Sequence, residues 1–192
     1  MIKTIKEIRE ETGAGVVDIK KALDEAKGDR ELAKKILRQK GQEKAGKKKN
    51  RTVKEGLIGY YLHSNGKQAS MVKLYCETDF VARNNEFKDL ARDLAMQVVA
   101  MNPTDLNEED ISEEIIEDRK EFWKKELVED KKSEEIKRKI LEGKANKFRS
   151  EKALMSQVFI KDSSKTIEVL IKEKITKLGE NIEVGEFIKF EI

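Results

Sequence analysis

The fold is decided at residues 70–98, SMVKLYCETDFVARNNEFKDLARDLAMQV, where one spacing of apolar residues gives way to another. From Val72 to Cys76 every second residue is apolar, as a half-buried strand requires. Asn84 is a good helix N-cap. The residues that then recur at helical spacing are Phe87, Leu90, Ala91, Leu94 and Val98. The stretch therefore predicts a strand followed by a helix over 84–101, which ends before a proline.

Phe80 lies at the junction of these two elements, beside Asp79, where the chain must turn. Turns usually lie at the surface, so an exposed ring next to a carboxylate could serve as a wedge that enters a partner. The alternative is that Phe80 is buried and staples the start of the helix to the sheet, as apolar residues before helices often do. Spacing alone leaves both interpretations open.

Composition limits the class of protein. The chain has 192 residues, of which 41% are charged and 38% hydrophobic. This charged fraction exceeds the usual value of about a quarter and suits long exposed helices. A net charge of +3 does not by itself indicate a nucleic-acid-binding protein. The chain shows neither a signal peptide nor a run of roughly 18 apolar residues, so we expect a soluble, cytoplasmic protein.

The residues needed for covalent or metal chemistry are scarce. His63 is the single histidine and lies just before Asn65-Gly66, a strong turn pair, so we expect it at a solvated strand end. Cys76 is the single cysteine, and we interpret it as a small buried hydrophobic residue. The alternative is that it forms an intermolecular disulfide. No catalytic constellation and no phosphate-binding glycine loop accompany them. We therefore expect no enzymatic activity, no metal site and no cofactor.

Residues 1–52 predict a small domain of three helices. Thr12-Gly13-Ala14-Gly15 separates the first two, and Asp29 can cap the third, which has Gly41 near its end. The three apolar stripes are Ile2, Ile5 and Ile8; Val16, Ile19, Leu23 and Ala26; and Leu32, Ala33, Ile36 and Leu37. The basic run 44–54 that follows could bind RNA phosphates, although such runs are more often solvated helix ends or linkers.

Residues 53–192 predict an α+β module built on a small antiparallel sheet. A hairpin of Gly56–His63 and Lys67–Glu77 should place Leu57 and Tyr61 on the same face as Val72. Residues 111–150 predict two helices that project as a hairpin. Their sparse stripes are Ile111, Ile115, Phe122 and Trp123, then Ile136, Ile140, Leu141 and Phe148, with Lys131-Lys132-Ser133 between them.

The C-terminal part should return to the core of this module. We expect a short strand or an extended segment at 158–160, then a helix capped by Thr166 and ended by Gly179. A last strand follows, whose apolar residues are Ile182, Val184, Ile188, Phe190 and Ile192.

Four separated motifs together resemble elongation factor Ts of bacteria and organelles. They are Thr12–Gly15 with Asp18 and Lys20–Leu23, then Cys76–Asn84, Gln157–Asp162 and Gly179–Ile182. The similarity spans nearly the whole chain and is greatest for short members with one sheet module. It implies an N-terminal domain similar to the ubiquitin-associated fold, followed by a dimerisation-type core over 53–192.

The resemblance implies a guanine-nucleotide exchange factor that binds elongation factor Tu in its GDP form and promotes GDP release and GTP reloading. By the same resemblance, Thr78, Asp79, Phe80 and Val81 form the loop that disturbs the partner's Mg²⁺ and phosphate site. Arg9, Val16 and Val17 match the family's partner-docking surface. Such a factor acts on Mg²⁺ and GDP held by its partner, so we expect no cofactor of its own, no direct nucleic-acid contact and no membrane.

Two further points concern the sheet. Gly185-Glu186 stands where many members carry a basic pair, so a contact made by that pair is not expected here. Short members are thought to pair through the sheet, which predicts a homodimer with Ile188 or Phe190 at its interface, unless these residues simply pack in the core. An RNA-binding translation protein and a ubiquitin-binding adaptor remain as alternatives, but neither explains the Asp79-Phe80 junction.

Overall fold

The computed structural model describes residues 2–127 and 133–192. The chain begins with α1 (Ile2–Thr12), α2 (Val16–Glu25) and α3 (Arg30–Gly46). A hairpin of β1 (Glu55–Leu62) and β2 (Gln68–Cys76) leads to α4 (Asp79–Arg83) and α5 (Asn85–Met101). Next come α6 (Glu113–Glu126) and α7 (Glu134–Lys152). The last elements are β3 (Val158–Phe159), β4 (Asp162–Thr166), α8 (Ile167–Leu178) and β5 (Ile182–Glu191). This combination of helices with antiparallel strands confirms the predicted α+β class.

The first three helices share a small apolar core. Asp29 caps α3 as predicted, because its side chain accepts a hydrogen bond of 3.0 Å from the amide of Leu32. The core residues are Ile5, Ile8, Ile19, Ala22, Ala26, Ala33 and Leu37. Ile2, Val16 and Leu32 were predicted to join these stripes but are exposed. The similarity to the ubiquitin-associated fold and the domain boundary at residue 52 stay predictions.

Helix α3 continues past Gly41, where the sequence suggested an ending, and packs against α8. Thr176 of α8 donates its hydroxyl hydrogen bond to the carbonyl oxygen of Gly41 at 2.9 Å. A Cβ at Gly41 would lie 3.1 Å from the Thr176 Oγ1, so the missing side chain allows this close approach. Gly41 is therefore a packing residue rather than a helix stop.

The main sheet has the strand order β1-β2-β5, with both pairings antiparallel. Leu57 pairs with Leu74 and Tyr61 with Ser70, which confirms the predicted register of the hairpin. Helix α5 covers one face of the sheet, where the Ser70 hydroxyl donates to the Ala95 carbonyl at 2.6 Å. The helix residues buried in this core include Phe87, Leu90, Ala91, Leu94, Ala95 and Val98.

The last strand changes face halfway along. Leu74 pairs with Val184 but Val72 pairs with Phe187, so β5 contains one extra residue between these two pairs. A one-residue shift reverses the side-chain faces beyond it. Phe187 therefore packs on the core, whereas Ile188 and Phe190 lie on the opposite, open face. The alternative that these two residues pack in the core is wrong for this reason.

Helices α6 and α7 form the predicted helical-hairpin insertion and pack against each other. Trp123 and Phe148 meet edge to face with ring centroids 6.2 Å apart. Ile116 is buried between the helices, whereas Ile115 and Phe122, assigned to this stripe from the sequence, are exposed. Ile116 and Trp123, which are two helical turns apart, therefore define the face of α6 that packs against α7. Lys131 and Lys132, predicted to separate the helices, lie outside the described residues, and Ser133 caps α7.

Helix α8 packs against both α3 of the N-terminal helices and β5 of the sheet. It begins as predicted at Thr166, which accepts a 3.3 Å hydrogen bond from the Val169 amide, and ends at Gly179 with φ at 84°. The short strand β4 just before it was not predicted, and it pairs with β3. Within the part of the chain that the structure describes, no helix is both long enough and apolar enough to cross a membrane.

Candidate functional site

A single helical turn, α4, exposes an aromatic ring between β2 and α5. The side chain of Phe80 is 84% exposed, whereas its neighbour Val81 is buried in the core of the sheet module. Successive helix residues point about 100° apart, so anchoring Val81 inside turns Phe80 outward. The interpretation of Phe80 as a buried staple is therefore wrong, and the exposed alternative holds.

Both ends of α4 are set by polar residues. Asn84 ends this turn and caps α5, because its side chain accepts a 2.8 Å hydrogen bond from the Glu86 amide. Asp79 forms an exposed ion pair with Arg83 at 3.1 Å. Exposed pairs contribute little to stability, so this pair does not fix the turn, and the Asp79 carboxylate stays at the surface.

The start of α4 is held by a residue from the other end of the chain. The carboxylate of Glu180 accepts hydrogen bonds from the amides of Glu77 and Thr78 at 3.1 and 3.0 Å. It also accepts a 2.6 Å hydrogen bond from the Thr78 hydroxyl. In return, the Asn181 amide donates to the Glu77 carboxylate at 2.6 Å. We call Glu77, Thr78, Glu180 and Asn181 the strand–helix clasp.

Sequence reasoning missed the clasp. Its two halves were quoted within family motifs, Cys76–Asn84 and Gly179–Ile182, but they are a hundred residues apart and received no shared role. The sequence carries no local signal of this pairing, because Thr78 is a good N-cap residue and would be expected to cap α4, which in the structure it does not do. Its hydroxyl is engaged by Glu180 instead.

The basic stretch after α3 is attached to the same clasp. Asn181 is buried, and its side-chain amide donates to the carbonyl oxygens of Lys49 and Arg51 at 3.3 and 3.0 Å. Lys48 donates to the Gly179 carbonyl at 2.7 Å, and burial lowers the pKa of its ammonium group. These contacts attach Lys48 and the backbone of residues 49 and 51 to the clasp. The side chains of Lys47, Lys49 and Arg51 are exposed, so RNA binding by the run 44–54 stays the alternative interpretation.

The residues predicted to dock the partner gather at one end of the helical unit. Arg9 lies in the last turn of α1, while Val16 and Val17 open α2, and all three side chains are exposed. The intervening loop packs on α8, since a Cβ at Gly13 would stand 3.0 Å from the Cβ of Lys177. The structure thus places this surface and α4 on separate elements, each in contact with α8 or the residues that follow it.

The remaining polar groups offer little chemistry. Cys76 is fully buried, its thiol donates to the Thr78 carbonyl at 3.2 Å, and burial raises its pKa to about 11. Such a thiol is unreactive. The described residues contain no cluster of His, Cys, Asp or Glu that could hold a metal ion. A cleft of about 590 Å³ lies between α3 and α8, but its charged groups are engaged in ion pairs, as Arg38 is with Glu173.

The chain is similar to known proteins over nearly its whole length. Residues 3–192 match the family model described as Elongation factor TS. The chain is 47% identical over 188 residues to Elongation factor Ts of Maridesulfovibrio salexigens, covering 98% of the chain and 91% of the relative. It is 47% identical over 190 residues to that of Thermosipho melanesiensis, covering 99% and 97%. It is 49% identical over 188 residues to that of Thermotoga maritima, covering 98% and 94%.

Proposed function

Because the chain belongs to the elongation factor Ts family, we propose that it binds the GDP form of elongation factor Tu and speeds the release of that GDP. Family membership makes it a nucleotide exchange factor of translation elongation, with elongation factor Tu as partner and without covalent chemistry of its own. The proposal adds the mechanism by which the nucleotide is displaced, and it places this reaction in the cytoplasm.

The observation that carries the mechanism is the outward ring of Phe80 on an anchored turn. A large apolar side chain gains roughly 1.5–3 kcal/mol when it is moved from water into an apolar site. Phe80 obtains this gain only if it enters a partner, because its own core leaves it in solvent. Buried Val81 anchors α4 behind the ring, so Phe80 can displace groups of the partner while α4 stays in place.

Displacement of Mg²⁺ links that insertion to GDP release. Mg²⁺ requires near-ideal octahedral geometry, so a small shift of its ligands is costly. The ion neutralises phosphate charge, and its loss weakens the binding of GDP. We propose that Phe80 and the Asp79 carboxylate disturb this site together, with Thr78 and Val81 shaping the turn. The coupling is reciprocal, so GDP weakens binding of the exchange factor by the same factor.

The insertion of one ring does not supply enough free energy. A thousandfold faster release corresponds to about 4 kcal/mol, which exceeds the gain from burying one Phe. We assign the difference to the wider interface, and first to Arg9, Val16 and Val17 on the N-terminal helices. Val17 is 65% exposed although it is aliphatic, as expected for a residue that is covered in a complex.

The open face of the sheet supports a homodimer. Its large side chains are Ile58, Tyr60, Leu62, Met71, Ile188 and Phe190, all exposed, and we call them the open apolar face. Tyr60 pairs across the sheet with Met71, and Met71 with Ile188, so these side chains form a continuous row. Contiguous apolar surface of this kind marks an interaction site, and we propose that a second copy of the chain covers it.

Release of a fluorescent GDP analogue from purified elongation factor Tu tests the proposed function. We expect the release rate to rise with the concentration of this protein and to reach a plateau. Excess Mg²⁺ should slow the stimulated release, because the proposed mechanism weakens the Mg²⁺ site. An unchanged release rate at saturating protein would reject the proposal.

A further inference from the structure

We propose that Glu180 is a positioning residue for Phe80: its carboxylate holds the start of α4, so that the ring enters the partner at a fixed angle. The inference rests on the proposed exchange function and adds to it a residue from the far end of the chain. Glu180 makes no contact with the ring itself in this role. It acts through Glu77 and Thr78, which lie just before α4.

The geometry of the carboxylate suits this role. Glu180 Oε2 accepts from the two successive amides of Glu77 and Thr78, while Oε1 accepts from the Thr78 hydroxyl. All three donors lie on the two residues that lead into the turn. Hydrogen bonds to an ionised acceptor are the strong ones, so one side chain fixes both the backbone and the rotamer of Thr78.

Helix α4 needs such an external support. It has five residues, and helices this short are not stable by themselves. Thr78, its N-cap residue, does not cap it with its own side chain, and Glu180 instead binds the backbone and the hydroxyl of Thr78. Buried Val81 and partly buried Ala82 tie α4 to the core, and Glu180 fixes the residues that lead into it.

The support is itself rigid. Asn181 follows Glu180, is buried, and donates its backbone amide to Glu77, so the two segments hold each other reciprocally. Its side chain also binds the carbonyl oxygens of Lys49 and Arg51, in the segment that leads from α3 to β1. The clasp thus joins α4 to the connection between the N-terminal helices and the sheet.

The consequence is a specific effect on exchange. Without Glu180, Val81 and the surrounding core still hold α4 in place, but its orientation is less restricted. Small errors in the position of an acting group are costly when its target geometry is strict. We therefore expect Glu180→Ala to lower the maximal rate of GDP release about tenfold. The concentration that gives half-maximal release should change less than about twofold, because the docking surface at Val17 is untouched.

The experiment uses the full chain and the GDP-release assay on elongation factor Tu. Glu180→Gln should restore most of the maximal rate, since its amide oxygen can accept from both backbone amides and its NH₂ group can donate to the Thr78 hydroxyl. Thr78→Val removes one of the three hydrogen bonds and should give an intermediate rate. The matched control is Glu191→Ala, a hydrogen-bonded glutamate at the opposite end of β5, expected to behave as wild type.

A second readout needs no partner. Amide hydrogen exchange of Thr78 and the residues of α4 should become at least about tenfold faster in Glu180→Ala, with the rest of the chain protected as in wild type. Unchanged amide exchange, or a normal maximal release rate in a folded Glu180→Ala, would overturn the positioning role. The role would also be overturned if Glu180→Ala changed only the concentration that gives half-maximal release. If the wild-type protein does not speed GDP release from elongation factor Tu, the nucleotide-exchange function is rejected. Amide hydrogen exchange then still decides whether Glu180 orders α4.

Discussion

Gly59 of β1 lies against the backbone of Ala91 in α5, so closely that a Cβ at residue 59 would stand 2.7 Å from the Ala91 Cβ. This contact sets the distance between the sheet and the helix that covers it. Because α4 connects β2 to α5, the same distance determines where the exposed turn is held. The close packing of one glycine in the middle of β1 therefore supports the site that follows the end of β2.

Gly59→Ala should destabilise the protein. The added methyl group meets backbone atoms of Ala91, which cannot move aside as a flexible side chain would. Overpacking of this kind costs about 1–3 kcal/mol, measurable by urea denaturation. The control is Gly143→Ala in α7, where nothing lies within 4 Å of the new Cβ. There we expect a gain of about 0.5–1 kcal/mol, and equal effects of the two changes would contradict the packing argument.

Phe80→Ala should leave the fold intact and impair exchange. The ring makes little contact with its own core, so the free energy of unfolding should change by less than about 0.5 kcal/mol. The rate of GDP release should fall roughly tenfold to a hundredfold if the ring is buried in the partner. Phe122→Ala removes another exposed Phe, on α6, and should exchange normally. A wild-type rate for Phe80→Ala would remove the ring from the mechanism.

Val17→Asp should weaken binding of elongation factor Tu. An aliphatic side chain at a docking surface is desolvated in the complex, and a carboxylate placed there loses its hydration. We expect the dissociation constant measured by calorimetry to rise at least about tenfold. Ile2→Asp changes an exposed isoleucine at the opposite end of α1 from Arg9 and serves as control. Equal affinities for Val17→Asp and wild type would place the docking surface elsewhere.

Ile188→Lys should disrupt the proposed homodimer. Ile188 lies on the open apolar face, where a second copy would bury it, and a lysine would carry its charge into that interface. Light scattering after size exclusion should therefore give the mass of a dimer for wild type and of a monomer for the variant. Ile115→Lys is a matched control, because Ile115 and Ile188 are both 47% exposed. A monomeric wild type would refute the pairing.

Glu86→Gln should reduce the acid sensitivity of the fold. Burial raises the pKa of Glu86, but hydrogen bonds and ion pairs with Lys174 and Lys177 on α8 outweigh it, so the net pKa lies below 4.5. A pKa lowered by folding contributes stability above the unfolded value, and that stability is lost as pH falls through the folded value. The variant should lose up to about 1 kcal/mol at neutral pH, because the pair is partly exposed.

The pH dependence of the free energy of unfolding tests this predicted loss of acid sensitivity. Between neutral pH and values below 4.5, the free energy of unfolding of Glu86→Gln should decline less than that of wild type. Glu168→Gln breaks an exposed ion pair with Lys172 within one helix and should have a smaller effect. Parallel curves for wild type and Glu86→Gln would show that this carboxylate does not link α5 to α8.

Much of the fold follows from local sequence signals. The helix caps at Asp29, Asn84 and Thr166 were predicted correctly, because capping depends on neighbours within three residues. The hairpin register was also correct, since a Gly-containing turn and the alternation of apolar residues both specify it. The choice of Ile115 over Ile116 was wrong because adjacent isoleucines fit two helix faces, and only packing against α7 selects one.

The sequence by itself determined the longer helices, the hairpin and three helix caps, and its motifs contained the residues of the candidate exchange turn and identified the family. Tertiary structure alone decided that Phe80 faces solvent, that Glu180 holds Thr78, and that an extra residue in β5 turns Ile188 outward. Caps and periodicity are set by interactions over a few residues, and these can be read along the chain. Burial and pairing between segments a hundred residues apart depend on packing that no local pattern encodes.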